Sequence, residues 1–118
     1  MIVFYDHLDI AQAYTENAVD IYSFNGEPLA YFYMDAIYSY QGKQLGWFSD
    51  GWIRDLNGFC VFFTQGATGG PLKSLIHPIP FVGTKRLLPI KAPRQIMKIR
   101  PIKRLTWSPL SNQHFFKQ

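Results

Sequence analysis

Eight cations, Lys85, Arg86, Lys91, Arg94, Lys98, Arg100, Lys103 and Arg104, fall within twenty residues that hold no acid. Lys and Arg at this density attract phosphate groups, whether of nucleic acid or of an anionic lipid surface. On extended chain alternate positions project to one side, which would gather these residues into an anion-binding face. Internal neutralisation is the opposing reading. All eight acids of the 118-residue chain (Asp6, Asp9, Glu16, Asp20, Glu27, Asp35, Asp50, Asp55) lie in residues 1–55 beside only two bases, Lys43 and Arg54, a charge of −6. Residues 56–118 carry ten bases and no acid, a charge of +10. Pairing of the two halves would consume much of the face, and a charged surface also keeps an aromatic-rich protein in solution.

Aromatic side chains offer a second binding chemistry. Trp47, Trp52 and Trp107 are expected at the surface beside the cations, where they would stack bases or sit at a lipid interface. Other chemistries find less support. The segment Gly66–Ser74 imitates a phosphate loop, but Leu72 stands before Lys73 where that loop needs glycine, and Pro78 and Pro80 follow where it needs a helix. His7, His77, His114 and Cys60 lack metal-ligand spacing, so no metal and no cofactor is expected. Cys60, inside Phe59-Cys60-Val61-Phe62-Phe63, reads as a small apolar core residue rather than a reactive thiolate. Asp50 and Asp55 are close enough in sequence for an acid/base pair, although turn capping explains both.

The elements that would position these residues are β-strands. Twenty of the 118 residues are Phe, Tyr or Trp, a leaning toward pleated surfaces. Three segments repeat in register from Ile21, Ile37 and Ile53, a step of sixteen residues. Each runs Ile, a polar or aromatic pair, an apolar residue, Asn or Gln, then Gly. Asn25-Gly26, Gln41-Gly42 and Asn57-Gly58 predict hairpins with type I′ turns. Ser23, Ser39 and Asp55, two residues earlier, are placed to bond the turn amides. Alternation predicts Val61 and Phe63 on one side of the sheet and Cys60 and Phe62 on the other. A second tight turn, Ser49-Asp50-Gly51, joins successive hairpins. A copy beginning at Tyr5 looks worn, because Ile10 falls where the glycine belongs.

After Gln65 the chain changes character. Seven prolines occupy residues 71–109, which rules out long regular elements. Pro78-Ile79-Pro80, Pro89-Ile90-Lys91 and Pro101-Ile102-Lys103 echo one another at spacings of eleven and twelve, each read as a short strand bent at its proline. One domain is expected over residues 1–109, with 110–118 a C-terminal tail. No apolar run approaches the ~20 residues of a membrane-spanning helix, and no signal-peptide pattern opens the chain, which points to a cytoplasmic protein.

Taken together, the three aromatic hairpins, the phrase Gly46-Trp47-Phe48-Ser49-Asp50-Gly51-Trp52-Ile53, the loop Gly69-Gly70-Pro71, the basic Pro-Ile-Lys phrases and the closing Trp107-Ser108 resemble the 4-fold β-flower domain. The resemblance covers the chain from about Ile2 to Ser108. It implies an all-β, shallow, symmetric barrel whose short hairpins spread like petals, and it brings no activity, cofactor or catalytic residue. Two functions stay open. One is a non-enzymatic binding module that meets lipid, nucleic acid or a protein partner through the basic face. Hydrophobic petal tips would favour lipid, and stacking aromatics would favour nucleic acid. The other is a small-ligand site or enzyme in the barrel mouth, built from Asp50, Trp52, Asp55 and Cys60.

Overall fold

The sixteen-residue rhythm folds into eight short antiparallel strands. In the computed structural model, which describes residues 1–73 and 79–118, they are β1 (Ile2–Tyr5), β2 (Ala11–Thr15), β3 (Asp20–Tyr22), β4 (Pro28–Tyr33), β5 (Ala36–Tyr38), β6 (Gln44–Ser49), β7 (Trp52–Asp55) and β8 (Cys60–Phe63). Each pairs with its neighbour in sequence, and β1 returns to β8 through Tyr5 opposite Phe63, so the sheet closes into a barrel. The molecule is a disc, 37 × 36 × 21 Å. Among the described residues the only helix is a short 3-10 turn, Gln113–Lys117.

Four equivalent turns lie at one rim. In the second, Gly26 N–H donates to Ser23 O and Ser23 N–H to Glu27 O, and the pattern recurs at Ser39–Lys43 and Asp55–Phe59. Positive φ falls on the glycine alone, +90° at Gly42, and not on the residue before it. These are therefore three-residue loops with an αL glycine rather than the expected type I′ turns. The residues placed to cap them do so: Ser23 Oγ accepts from Glu27 N–H, Ser39 Oγ from Lys43 N–H, and Asp55 Oδ1 from Asn57 and Phe59 N–H. The two-residue type I′ geometry appears instead at the other rim, where Asp50 and Gly51 both have positive φ between β6 and β7.

The first copy is not worn. Asp6 N–H donates to Ile10 O and Asp9 N–H to Asp6 O, as in the other three turns, with Asp6 Oδ1 accepting from Leu8 and Ile10 N–H. Asp9, at φ 62°, takes the glycine's place, a conformation that Asp tolerates better than most residues. The step from Asp6 to Ser23 is seventeen, so a strict sixteen-residue frame aligned Ile10 one position too far.

A bulge at one place in every hairpin sets which side chains point inward. Register shifts fall after Phe4, Ile21, Ile37 and Ile53. The extra residue opposite each is Gln12, Leu29, Leu45 and Val61. Because a bulge lets two consecutive residues share a face, Val61 and Phe62 both enter the central core with Phe4, Ile21, Ile37 and Ile53, while Cys60 and Phe63 pack outside with Tyr5 and Trp52. That corrects the alternation expected for β8. Outside the barrel, Tyr14 stacks on Tyr22 and Tyr31 on Tyr38. In the fourth repeat Arg54 replaces the tyrosine and stands opposite Trp47.

The C-terminal residues belong to the packed unit. Phe115 is fully buried in the central core, against Phe62, so 110–118 is not a tail outside the domain. Nor do the basic Pro-Ile-Lys phrases form strands. Residues 79–103 form no strand or helix, and Pro78 of the first phrase lies outside the described residues.

Candidate anion-binding interface

This segment is a strap laid across the last three of the four turns. Gly83 N–H donates to Phe24 O and Arg86 N–H to Gly26 O; nine residues on, Ala92 donates to Tyr40 O and Gln95 to Gly42 O; nine further, Arg104 donates to Gly58 O. Pro101, where the next bond would start, has no N–H. At the first turn His7 N–H donates to Ser111 Oγ at 2.9 Å. A sixteen-residue repeat in the barrel is thus met by a nine-residue repeat in the strap. Contact is close: a Cβ on Gly42 would lie 2.0 Å from Pro93 O, and one on Gly26 or Gly58 would meet Thr84 O or Ile102 O as tightly.

Held by its backbone, the strap carries its cations at fixed stations. Lys85, Arg94 and Lys103 are nine apart, as are Lys91 and Arg100. Three of the eight reach carboxylates on the opposite rim: Lys85 pairs with Glu16, Arg100 with Asp35, and Lys103 Nζ with Asp50 Oδ2 at 2.9 Å. Hydrogen bonding from these cations holds Glu16, Asp35 and Asp50 below the usual carboxylate range. Others lie on aromatic rings: Lys91 Nζ is 4.4 Å from the Tyr31 centroid, Arg94 3.8 Å from Tyr33, and Arg104 5.5 Å from Phe59. Arg86, Lys91, Arg94, Lys98 and Arg104 have no carboxylate partner among the described residues. The acidic half therefore neutralises part of the basic face and leaves the rest.

The tryptophans do not supply an aromatic surface. Trp47 and Trp52 are buried, at 3% and 1% exposure. Arg100 covers Trp47, and Trp107, partly buried, meets Trp52 edge-on at 5.4 Å. Trp47 is thus covered by the strap, whereas Trp52 is covered by Gly70, Phe63 and Trp107. Aliphatic side chains take the exposed positions instead. Leu87, Ile90, Ile96 and Ile99 are each more than 90% exposed, as is Phe81. They too follow the nine-residue step, as Phe81, Ile90 and Ile99, and as Leu87, Ile96 and Leu105. The signal was available in the sequence, but only to a reader using the strap's period.

The residues of the barrel-mouth alternative do not converge. Asp50 is half exposed and paired with Lys103, Asp55 caps its turn, and Trp52 and Cys60 pack in the outer cluster. Burial pushes the Cys60 thiol up. A cavity of about 440 Å³ does open beside the 3-10 turn, but Gln12, Glu27, Leu29, Gln113, Phe116 and Lys117 line it. Among the described residues no three His, Cys, Asp or Glu side chains cluster as metal ligands; His77 lies outside them, as does Ser74 of the loop after β8. No helix of the described residues is long and apolar enough to cross a membrane.

A family model described as 4-fold beta flower protein matches residues 2–116. No curated protein and no solved structure matches the chain.

Proposed function

The chain belongs to the 4-fold beta flower family, and from that footing we propose that it is a non-enzymatic binding module whose strap docks on an anionic lipid surface. The observation that carries this reading is the interleaving of fully exposed Leu87, Ile90, Ile96 and Ile99 with Arg86, Lys91, Lys98 and Arg104. Aliphatic side chains left in water gain about 0.8 kcal/mol per CH₂ on burial, and each nearby Lys or Arg adds about 1 kcal/mol at an anionic membrane. A single-strand nucleic-acid face needs stacking rings among its cations; here Trp47 and Trp52 are buried, and the exposed Phe81 lies ahead of Lys85, the first cation of the strap. Anionic lipid faces the cytoplasm, which is the location this reading implies.

The test is sedimentation of the purified protein with phosphatidylserine–phosphatidylcholine vesicles, with pure phosphatidylcholine as control. Salt-sensitive retention on the anionic vesicles alone is expected, lost in Ile96→Ser/Ile99→Ser. Equal retention on both vesicles, none on either, or tighter binding to single-stranded nucleic acid would refute it. A small-ligand site is the alternative; Asp50, Trp52, Asp55 and Cys60 do not form it, and the 440 Å³ cavity bordered by Glu27 and Lys117 would take their place.

A further inference from the structure

The fourfold pattern is broken at one side chain. Tyr5, Tyr22 and Tyr38 occupy the position that Arg54 takes in the last repeat. Arg54 is 2% exposed and has no carboxylate partner among the described residues. Its Nη1 donates to Gly58 O at 2.8 Å and Arg104 O at 2.6 Å, and its Nη2 to Gly69 O at 3.1 Å. Only carbonyl oxygens accept its hydrogen bonds, and the Asp50 carboxylate acts on it through space without pairing with it. Its Nε–H has no partner, and neither does the buried indole N–H of Trp47 directly opposite.

Both side chains line one small cleft, together with Ser49, Arg100, Pro101 and Lys103. Three cationic side chains, an indole ring and Ser49, whose hydroxyl donates to Asp50 Oδ2, therefore border a space of about 90 Å³. That volume suits a small oxyanion rather than a nucleotide. Asp35 and Asp50 flank it through their pairs with Arg100 and Lys103, and neither lines it. In the preceding repeat the same place holds Tyr38, whose hydroxyl donates to Gln95 O, so the cation there is not needed to hold the strap.

We propose that the cleft between Trp47, Arg54, Arg100 and Lys103 binds a phosphate group, as a free anion or as a phosphomonoester headgroup. The unpartnered Arg54 Nε–H and Trp47 indole N–H, both closed off from solvent, turn toward it from beneath, and Arg100 and Lys103 close over it from the strap. The site goes beyond the membrane reading and does not depend on it, because the aliphatic residues of the strap take no part in it.

Titration of the ¹⁵N-labelled full-length protein with inorganic phosphate tests it. Saturable movement of the Trp47 indole N–H and the Arg54 Nε–H signals is expected, with the Trp107 indole unmoved. Arg100→Gln, at an exposed position outside the barrel core, removes one charge-assisted donor and should weaken binding about tenfold or more. Lys98→Gln should leave it unchanged. Movement linear in phosphate, or an affinity unaltered by Arg100→Gln, overturns the site and leaves Arg54 a clamp between turn and strap. Phosphatidic acid vesicles shifting the same two signals would identify a headgroup, and free phosphate alone a soluble anion. Ile96→Ser/Ile99→Ser separates the two proposals: it should abolish vesicle retention and leave the phosphate response intact.

Discussion

Barrel and strap express one fourfold arrangement in opposite ways. The barrel repeats every sixteen residues and commits its side chains to the interior, with Phe4, Ile21, Ile37 and Ile53 at equivalent buried positions. The strap repeats every nine and commits its backbone, so that Arg86, Gln95 and Arg104 each donate a main-chain bond to a turn carbonyl. In the first region side-chain volume carries the stability. In the second the cations still pair with the rim, but the aliphatic side chains Leu87, Ile90, Ile96 and Ile99 are released from structural duty and turned outward.

The largest effect that would test this contrast is Phe62→Ala. The ring is fully buried against Phe115, and its loss should cost about 3–5 kcal/mol in urea unfolding. Next comes Gly42→Ala, which places a side chain at φ +90° and 2.0 Å from Pro93 O. A left-handed penalty of about 1–2 kcal/mol and crowding of about 1–3 kcal/mol should combine, and the strap amides of Ala92 and Gln95 should lose hydrogen-exchange protection first.

Acid should then part the two regions. Glu16, Asp35 and Asp50 have folded-state pKa values lowered by their Lys85, Arg100 and Lys103 partners. Their contribution is complete above the ordinary carboxylate value and is lost as pH falls through the lowered values. Below about pH 4, strap resonances should broaden while barrel resonances persist. Simultaneous loss of both sets would show that the ion pairs do not distinguish the regions. Smallest of all is the effect of Ile96→Ser on stability. At 93% exposure the change should stay within about 0.5 kcal/mol, and a larger loss would mean that strap side chains are structural after all.

Legibility followed the same division. Gly26, Gly42 and Gly58 announced three turns because αL backbone selects glycine. The first turn was hidden by one extra residue in the step and by Asp9 standing in for glycine. Burial of Val61 beside Phe62 was hidden by a bulge, which breaks the alternation that strands otherwise obey. Trp47 and Trp52 are covered by distant segments, Arg100 over one and Gly70 and Trp107 over the other, and such cover leaves no periodic mark on the buried partner. Prolines at 89, 93 and 101 suggested bent strands, whereas the strap needs only one or two free N–H groups per nine residues, and proline is harmless between them. Arg54 was counted among the charges of the acidic half, and nothing in its neighbours signals that it occupies a tyrosine's position.

Ser111 gives the disc its last property. The barrel closes through a single opposed pair, Tyr5 and Phe63. Across that seam Ser111 Oγ donates to Val61 O at 2.6 Å on one bank and accepts from His7 N–H on the other. The segment around Ser111 thus works as the hoop on a cask, keeping staves together that have little grip of their own. A chain shortened before Ser111 should leak at that joint, with its first and last staves free to trade places with those of a second molecule.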